Sequence, residues 1–474
     1  MKEKKTFYVT SPIFYPNAAP HLGHAYTTLL CDILARYHRL SGFETYFLTG
    51  TDEHTEKVVK AALSVGQKPP AYLEEVVTRF KELYVHLDIS YDQFIRTSDQ
   101  TVHWPGVIEM WERLARAGDI YKSTYTGLYC AGCEAFLTEK DLVDGKCPDH
   151  GIEPEQLKEE NYFFRLSKYT QAIKEKIVSD ELRIVPGTRK NEILSLLNEG
   201  LQDVSFSRPK EKMTWGIPVP GDETQTMYIW MDALTNYITA LGFGRGEERM
   251  YFWPGMHVLG KDILRFHAAF WPAMLLSAGL PLPKALLVHG FITSGGKKMS
   301  KTLGNVIDPE ELLAEYGTDA VRYFLARHIS PFEDGDITRE GFKAAYNADL
   351  ANGLGNLAAR IMQLAQTHLS EPVKVQWKPF PKEFADAMEK FEINKAAEYV
   401  WSRIQALDQR ITAEAPFKVI KTDPARGTEL IINLVHELAA IDLMLEPILP
   451  QTSKKIIDAI MANKKPENLF LRKD

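Results

Sequence analysis

Residues 5–24 read KTFYVTSPIFYPNAAPHLGH, and this stretch decides the fold. Residues 5–13 are dense in β-branched and aromatic side chains and predict a strand. The Pro/Asn/Ala segment that follows predicts a loop. From about Leu22 to Leu40 apolar residues recur at spacings of three and four, which predicts a helix. Thr45–Leu48 predicts a second strand, ending in the polar turn GTDEH. Strand, helix, strand is the opening of a parallel α/β sheet, whose crevice lies at the carboxyl ends of its strands.

Moving outward, residues 119–221 break this rhythm with Gly, Cys, Pro and short β-like runs, and predict an insertion dividing residues 1–118 from 222–325. Alternation resumes through YIWMDALTNY, GKDILRFHAAFWPAML and KALLVHGFITSGGKKMSKT. Residues 326–345 are expected to link this half to residues 346–474, which read as amphipathic helices throughout. The 474 residues suit about three domains. A hydrophobic fraction of 45% against 25% charged excludes a disordered chain.

No run approaches the ~20 apolar residues of a membrane span. The basic start is interrupted by Thr10, Ser11, Pro12 and Pro16, unlike a secretion signal. Four cysteines make no disulfide framework, so a reduced, cytoplasmic setting is expected. The net charge of −7 advertises no nucleic-acid partner, and any such contact must use local patches.

Three motifs carry chemistry. His21-Leu22-Gly23-His24 falls where a strand turns into a helix, and a helix N-terminus there offers unpaired N–H groups to an anion. Two imidazoles three residues apart can face a phosphate, while Gly23 lets a flat base approach the backbone; taken alone, the pair reads equally as capping histidines. Lys298-Met299-Ser300-Lys301-Thr302 follows Gly295-Gly296 and suits a cationic loop closing over a polyphosphate, or, alone, a solvated basic turn. Cys130-x2-Cys133-x13-Cys147-x2-His150 has the spacing of a closed, four-ligand structural zinc knuckle. Cys31 lies outside that cluster on an apolar helix face and reads as core.

HLGH and KMSKT, in this order and separation, resemble the HIGH and KMSKS signatures of the class I aminoacyl-tRNA synthetases. Together with TSPIFYPNAAPHLGHAYT, TGTDEH, YIWMDALTNY and a knuckle in the insertion, the whole chain resembles the methionyl-tRNA synthetase family. The resemblance implies a Rossmann-like catalytic domain, a zinc-bearing connective insertion and a helical anticodon-binding bundle. It implies ATP-dependent activation of methionine to methionyl-adenylate and pyrophosphate, then transfer to the terminal adenosine of the cognate tRNA. ATP would arrive with Mg²⁺, held by His21, Gly23, His24, Gly260, Asp262, Lys298 and Lys301.

By the same resemblance the methionine pocket falls on Ile13, Tyr15, Asp52, Trp230, Ala233, Leu234, Tyr237, Ile263 and His267. A flexible, polarizable thioether suits aromatic walls, and Asp52 at a strand end can pair with the substrate ammonium. Core packing is the alternative for Trp230 and Tyr237, and a cap or turn for Asp52 and Asp262. Arg208 resembles an arginine reaching the active site, with a surface arginine as the alternative. Thr55 departs from the family, which usually shows glycine after TDEH. Anticodon contacts fall on Asn356 and Arg360, four apart on one helix face, and on Phe417, where tryptophan is common.

Within the class the rivals are enzymes for cysteine, valine, leucine and isoleucine. A cysteine enzyme is expected to place zinc at the substrate, and the aliphatic enzymes carry a larger editing insertion. A non-catalytic RNA-binding paralogue would keep the helical tail without the signatures, and a small nucleotidyltransferase would lack the tail. Many relatives carry a further C-terminal dimerisation domain; the chain ends at Asp474, and a monomer is expected.

Overall fold

The computed structural model describes residues 5–130, 132, 135–137, 139–299, 305–376 and 378–474. Its centre is a six-stranded sheet of β1 (Thr6–Phe14), β2 (Glu44–Thr51), β3 (Gln93–Arg96), β4 (Arg183–Val185), β5 (Met256–Gly260) and β6 (Ala285–His289). The spatial order is β3-β2-β1-β5-β6-β4, and every pairing is parallel. The chain therefore steps outward from β1 to β2 and β3, then returns to the other side of β1 at β5. Strand order reverses between β1 and β5, and a ligand crevice belongs at the carboxyl ends of those two strands.

Strand alternation makes the sheet a wall between two cores. Val9, Phe47, Val258 and Leu287 face a core shared with the helix Leu22–Leu40. Tyr8, Leu48, Leu259, Leu286 and Val288 face the other, shared with the helices Trp104–Arg116 and Ile229–Thr239. Both faces are covered, so β6 reads as the unbroken buried run ALLVH.

Within residues 119–221 an antiparallel sheet joins Ala135–Leu137, Ile120–Cys130, Glu155–Phe164 and Val204–Ser205 in that order. β4 comes from the same stretch yet pairs with β6, Leu286 beside Ile184, and so forms the edge of the central sheet. The expected insertion is thus threaded into the core rather than set apart from it. The expected link at residues 326–345 contains Gly335–Asp336, paired in parallel with Ile292–Ser294, and the helix Arg339–Ala345.

After Asp336 all regular structure among the described residues is helical: Arg339–Ala345, the π-helical Tyr346–Gly355, Asn356–His368, Lys382–Glu389, Ile393–Glu414, Pro416–Thr422, Pro424–Leu445 and Pro450–Met461. Their apolar faces join the core of the helix Leu22–Leu40. Arg322 pins that junction. Fully buried, it pairs with Asp32 at 2.7 Å and donates to the carbonyls of Leu87, Pro447 and Ile448 at 3.0, 2.9 and 2.9 Å. No helix of the described residues is long and apolar enough to cross a membrane.

Candidate active site

The loop leaving β1 delivers His21 to the N-cap of the helix Leu22–Leu40. His21 Nδ1 accepts the Gly23 N–H at 3.0 Å, and His24 Nδ1 accepts the His21 N–H at 3.1 Å. This is a capping box built from two imidazoles. Each Nδ1 lone pair is spent on the backbone, so the remaining ring proton of each histidine sits on Nε2. The rings stack at 3.8 Å and present two N–H donors side by side. Burial, with His21 beside it, holds His24 well below its ordinary pKa, so it acts as a neutral donor. Gly23 is required by the cap itself: a Cβ there would come within 2.8 Å of the His21 ring.

One turn on, Thr27 Oγ1 lies 2.7 Å from His289 Nε2. His289 Nδ1 donates to the Gly290 carbonyl at 2.7 Å, so Nε2 accepts the Thr27 hydroxyl proton. His289 in turn closes on Gly260 and Asp262. A Cβ on Gly260 would meet Asp262 Oδ1 at 2.6 Å and the His289 ring at 3.8 Å. Asp262 is exposed in the short 3₁₀ turn Lys261–Ile263. The histidine signature and the Gly260–Asp262 pair thus share one end of the sheet, at the switch between β1 and β5.

On the other face, Ile13, Tyr15, Trp230, Leu234, Tyr237 and Ile263 pack into a single apolar cluster, with Ala233 buried on the same helix as Trp230. Trp230 lies flat on Phe266 at 3.8 Å, and Tyr237 on His257 at 4.0 Å. The Tyr237 hydroxyl is 2.6 Å from His267 Nε2, and His267 Nδ1 is 2.9 Å from the Ile263 carbonyl. A carbonyl only accepts, so Nδ1 carries the ring proton and Tyr237 donates to Nε2.

Burial pushes His267 down to about 4, fixing it neutral at physiological pH. Burial also pushes the Tyr237 phenol far up. His267 lies in the π-helical turn Phe266–Phe270, a local widening frequent at functional sites and invisible to residue periodicity.

Arg208 is buried rather than superficial, its Nη1 donating to Ser205 Oγ at 2.9 Å and the Ser207 carbonyl at 2.7 Å, beside the Tyr228 ring. Thr55, the departure from the family pattern, is the N-cap of the helix Glu56–Ser64 and accepts the Val58 N–H at 3.1 Å. Cys31 is fully buried in the core.

The strand Ile292–Ser294 folds back on Lys297–Lys298 through Gly295 and Gly296, both at positive φ (62° and 71°) as a two-residue type I′ hairpin demands. Asp336 accepts the Gly296 N–H and the Thr293 hydroxyl, each at 2.8 Å, and anchors the hairpin. Lys298 ends it by pairing with Thr293; Lys301 lies outside the described residues.

Cys130 Sγ, Cys147 Sγ and a ring nitrogen of His150 lie within 4.8 Å of one another, and Cys147 Sγ is 3.7 Å from His150 Nδ1. That matches the ~3.6 Å edge of a tetrahedron with zinc–ligand bonds of ~2.0–2.3 Å. Gly132 makes room, since a Cβ there would sit 2.3 Å from the His150 ring. These residues fit a metal of the zinc type; Cys133 lies outside the described residues.

In the helical region Asn356, Arg360 and Phe417 meet in one cavity of about 320 Å³, with Gln363, Ile411 and Lys465. Arg360, one of its lining residues, also pairs with Asp408. The π-helical turn Tyr346–Gly355 leads directly into Asn356 and sets the phase of that face. Sequence reasoning missed Gln363 and Lys465, as well as a buried His54–Asp232–His103 cluster centred on the helix that carries Trp230 and Tyr237.

A parallel sheet with a paired-histidine helix start at its switch point, a glycine-hinged lysine hairpin and a helical tail define a class I aminoacyl-tRNA synthetase. Residues 7–156 and 150–362 match the family model for class I (M) tRNA synthetases, and the chain belongs to this family. It is 42% identical over 475 residues to the methionine–tRNA ligase of Clostridium acetobutylicum, covering 96% of this chain and 73% of that one. With the Rickettsia felis methionine–tRNA ligase it shares 40% identity, across 98% of this chain and 94% of the relative. Its structure superimposes on Mycobacterium tuberculosis methionyl-tRNA synthetase in complex with methionyl-adenylate with a TM-score of 0.88 and 36% identity, covering 96% and 93% of the two chains.

Proposed function

We propose that the chain activates L-methionine with ATP to methionyl-adenylate and pyrophosphate, then transfers methionine to the 3′-terminal adenosine of tRNA(Met). The observation that carries this reading is the Tyr237–His267–Ile263 hydrogen-bond chain in the aromatic cluster of Tyr15 and Trp230, with Asp52 following the carboxyl end of β2. The Tyr237 proton is committed to a neutral imidazole, so the pocket wall is polarizable and uncharged, as an unbranched thioether requires. Asp52 supplies the one charge needed, opposite the substrate ammonium.

Adenylate formation is an in-line attack of the methionine carboxylate on the ATP α-phosphate. It asks the protein for positioning and charge stabilisation more than covalent chemistry. The paired Nε2–H donors of His21 and His24 face phosphate oxygens on which charge develops, preorganised by their own backbone caps. Gly260 leaves room for the ribose beside Asp262. Lys298 and Lys301 close on the β- and γ-phosphates, and ATP enters as its Mg²⁺ complex. Cys130, Cys133, Cys147 and His150 hold a structural zinc whose chemistry is to fold the insertion.

Residues 1–118 and 222–325 form the catalytic domain around the insertion 119–221, with 326–345 linking to an anticodon-binding bundle at 346–474. There Phe417 offers a stacking face, and Asn356 and Arg360 hydrogen-bond base edges. The protein works as a cytoplasmic monomer.

The test is amino-acid-dependent ATP–pyrophosphate exchange across all twenty amino acids without tRNA. Exchange with methionine alone is the expected result. Exchange with another amino acid overturns the pocket assignment, and no exchange by folded protein overturns the catalytic reading.

A further inference from the structure

Asp232 sits on the helix Ile229–Thr239 between Trp230 and Ala233, yet its carboxylate is turned to the opposite side. Oδ2 lies 2.6 Å from His54 Nδ1, and Oδ1 lies 2.7 Å from His103 Nε2. His103 Nδ1 continues to Thr239 Oγ1 at 2.8 Å, about two turns further along the same helix. All four side chains are at most 3% exposed. A buried carboxylate that accepts from two imidazoles and no solvent is costly to build and resists displacement. Burial pushes the Asp232 carboxyl up, but His54 and His103 outweigh it and hold the group below its ordinary range.

His54 stands two residues after Asp52, in the turn that leaves β2. That turn is held on several sides. Glu53, fully buried between the two, accepts from Arg96 Nε at 2.7 Å and from the Thr51 hydroxyl at 2.8 Å. Its backbone N–H goes to Thr97 Oγ1 at 2.8 Å, and its carbonyl receives the Trp215 indole at 2.9 Å. The His54 ring meets the edges of Trp104 and Trp215. The His54–Asp232 bond therefore joins two rigid bodies: the turn that carries Asp52 and the helix that carries Trp230, Ala233, Leu234 and Tyr237.

We infer that Asp232 is a positioning residue for amino-acid recognition: through His54 it fixes the spacing between the ammonium-binding Asp52 and the side-chain pocket. The inference rests on the proposed reading that these residues bind methionine. A substrate held at both ends is sensitive to that spacing, because a misplacement of about 1 Å costs up to ~10²-fold in rate. Nucleotide binding, at His21, His24 and Asp262, does not pass through this link.

The experiment compares H54L, H54N and D232N in methionine-dependent ATP–pyrophosphate exchange, with KM determined separately for methionine and ATP. Asparagine places an N–H near the position of His Nδ1; leucine fills the space without a donor. H54L and D232N should raise the methionine KM about tenfold or more, with the ATP KM within about twofold, while H54N stays within about threefold of the parent. An unchanged methionine KM in folded H54L, an equal rise in both KM values, or H54N behaving like H54L overturns the inference. Should D232N fail to fold, the two His54 variants alone decide it. If the unaltered chain shows no methionine-dependent exchange, the underlying reading of the site falls first, and this inference falls with it.

Discussion

Replacing Arg322 by methionine removes the guanidinium that joins the signature helix to the helical region while keeping most of the side-chain stem. The parent group makes one ion pair, to Asp32 at 2.7 Å, and three bonds of 2.9–3.0 Å to the carbonyls of Leu87, Pro447 and Ile448. Breaking a buried pair by deleting one partner costs ~3–5 kcal/mol. Two features set where in that range the cost falls.

Asp32 keeps Arg36 Nε at 2.8 Å and the Ser90 N–H and hydroxyl at 2.7 and 2.6 Å, so its charge is not abandoned. Against that, three buried carbonyls lose their donor, at ~1–3 kcal/mol for each one left unsatisfied. The second effect outweighs the first, and the upper half of the range is expected. With an unfolding entropy of ~2.1 cal/mol/K per residue, 474 residues give ~1 kcal/mol per kelvin. R322M should therefore melt ~4–5 °C below the parent by calorimetry if the chain unfolds as one unit. R322K, which keeps a charge for Asp32 but cannot fork to three carbonyls, should fall between the two. A shift under ~1 °C for R322M, or R322K matching the parent, would refute the claim that this guanidinium holds the junction.

Three further perturbations address other parts of the molecule. G23A forces a Cβ to within 2.8 Å of the His21 ring, so the ring must leave its cap; exchange activity should fall ~10²-fold with little change in melting temperature, and near-normal exchange would deny the paired-donor geometry. Arg360 shares its cavity with Asn356 and Phe417, and R360A should lower tRNA charging ~10–100-fold while pyrophosphate exchange stays within about twofold; equal loss of both would remove the division of labour between the two regions.

Burial pushes the Asp442 carboxyl well above its ordinary value, with Glu446 adding to the rise. Its native form is favoured below the unfolded pKa of ~3.9, and that contribution is lost as pH rises through the elevated folded value. D442N, uncharged at every pH, should therefore gain stability over the parent as pH is raised from ~4 to ~8; a pH-independent difference in melting temperature would contradict the assignment.

The sheet was legible because its strands are short apolar runs punctuated by turn residues, and the helix Leu22–Leu40 because its spacing is regular. The edge strand Arg183–Val185 was not. Three residues carry too little pattern, and their partner, Ala285–His289, lies a hundred residues on. The π-helical turns at Phe266–Phe270 and Tyr346–Gly355 escape for a different reason: they change which residues face inward without changing composition. Site residues carried by a local motif, such as His21, Gly23 and His24, could be proposed from the chain alone, although the part Gly23 plays in the cap could not. The glycine clears space for a histidine cap, a role its sequence does not announce.

What no local pattern announces is the layer behind the site. His54, His103 and Asp232 are separated by 129 and 178 residues in the chain, and Asp32 and Arg322 come from opposite ends of the catalytic region. Both groups are charged side chains in places where burial penalises charge, so each persists only because its partners arrive from elsewhere in the fold. Asp232 joins the turn after β2 to the helix Ile229–Thr239 through His54, and Asp32 joins the signature helix to the helical region through Arg322. The residues that face substrate need a particular chemistry at a particular turn, which sequence records. Those that hold them need only a partner at the right distance, which is a property of the folded chain. A search for determinants of rate and selectivity in this family should therefore begin with buried, mutually satisfied ionisable groups one layer behind the motifs.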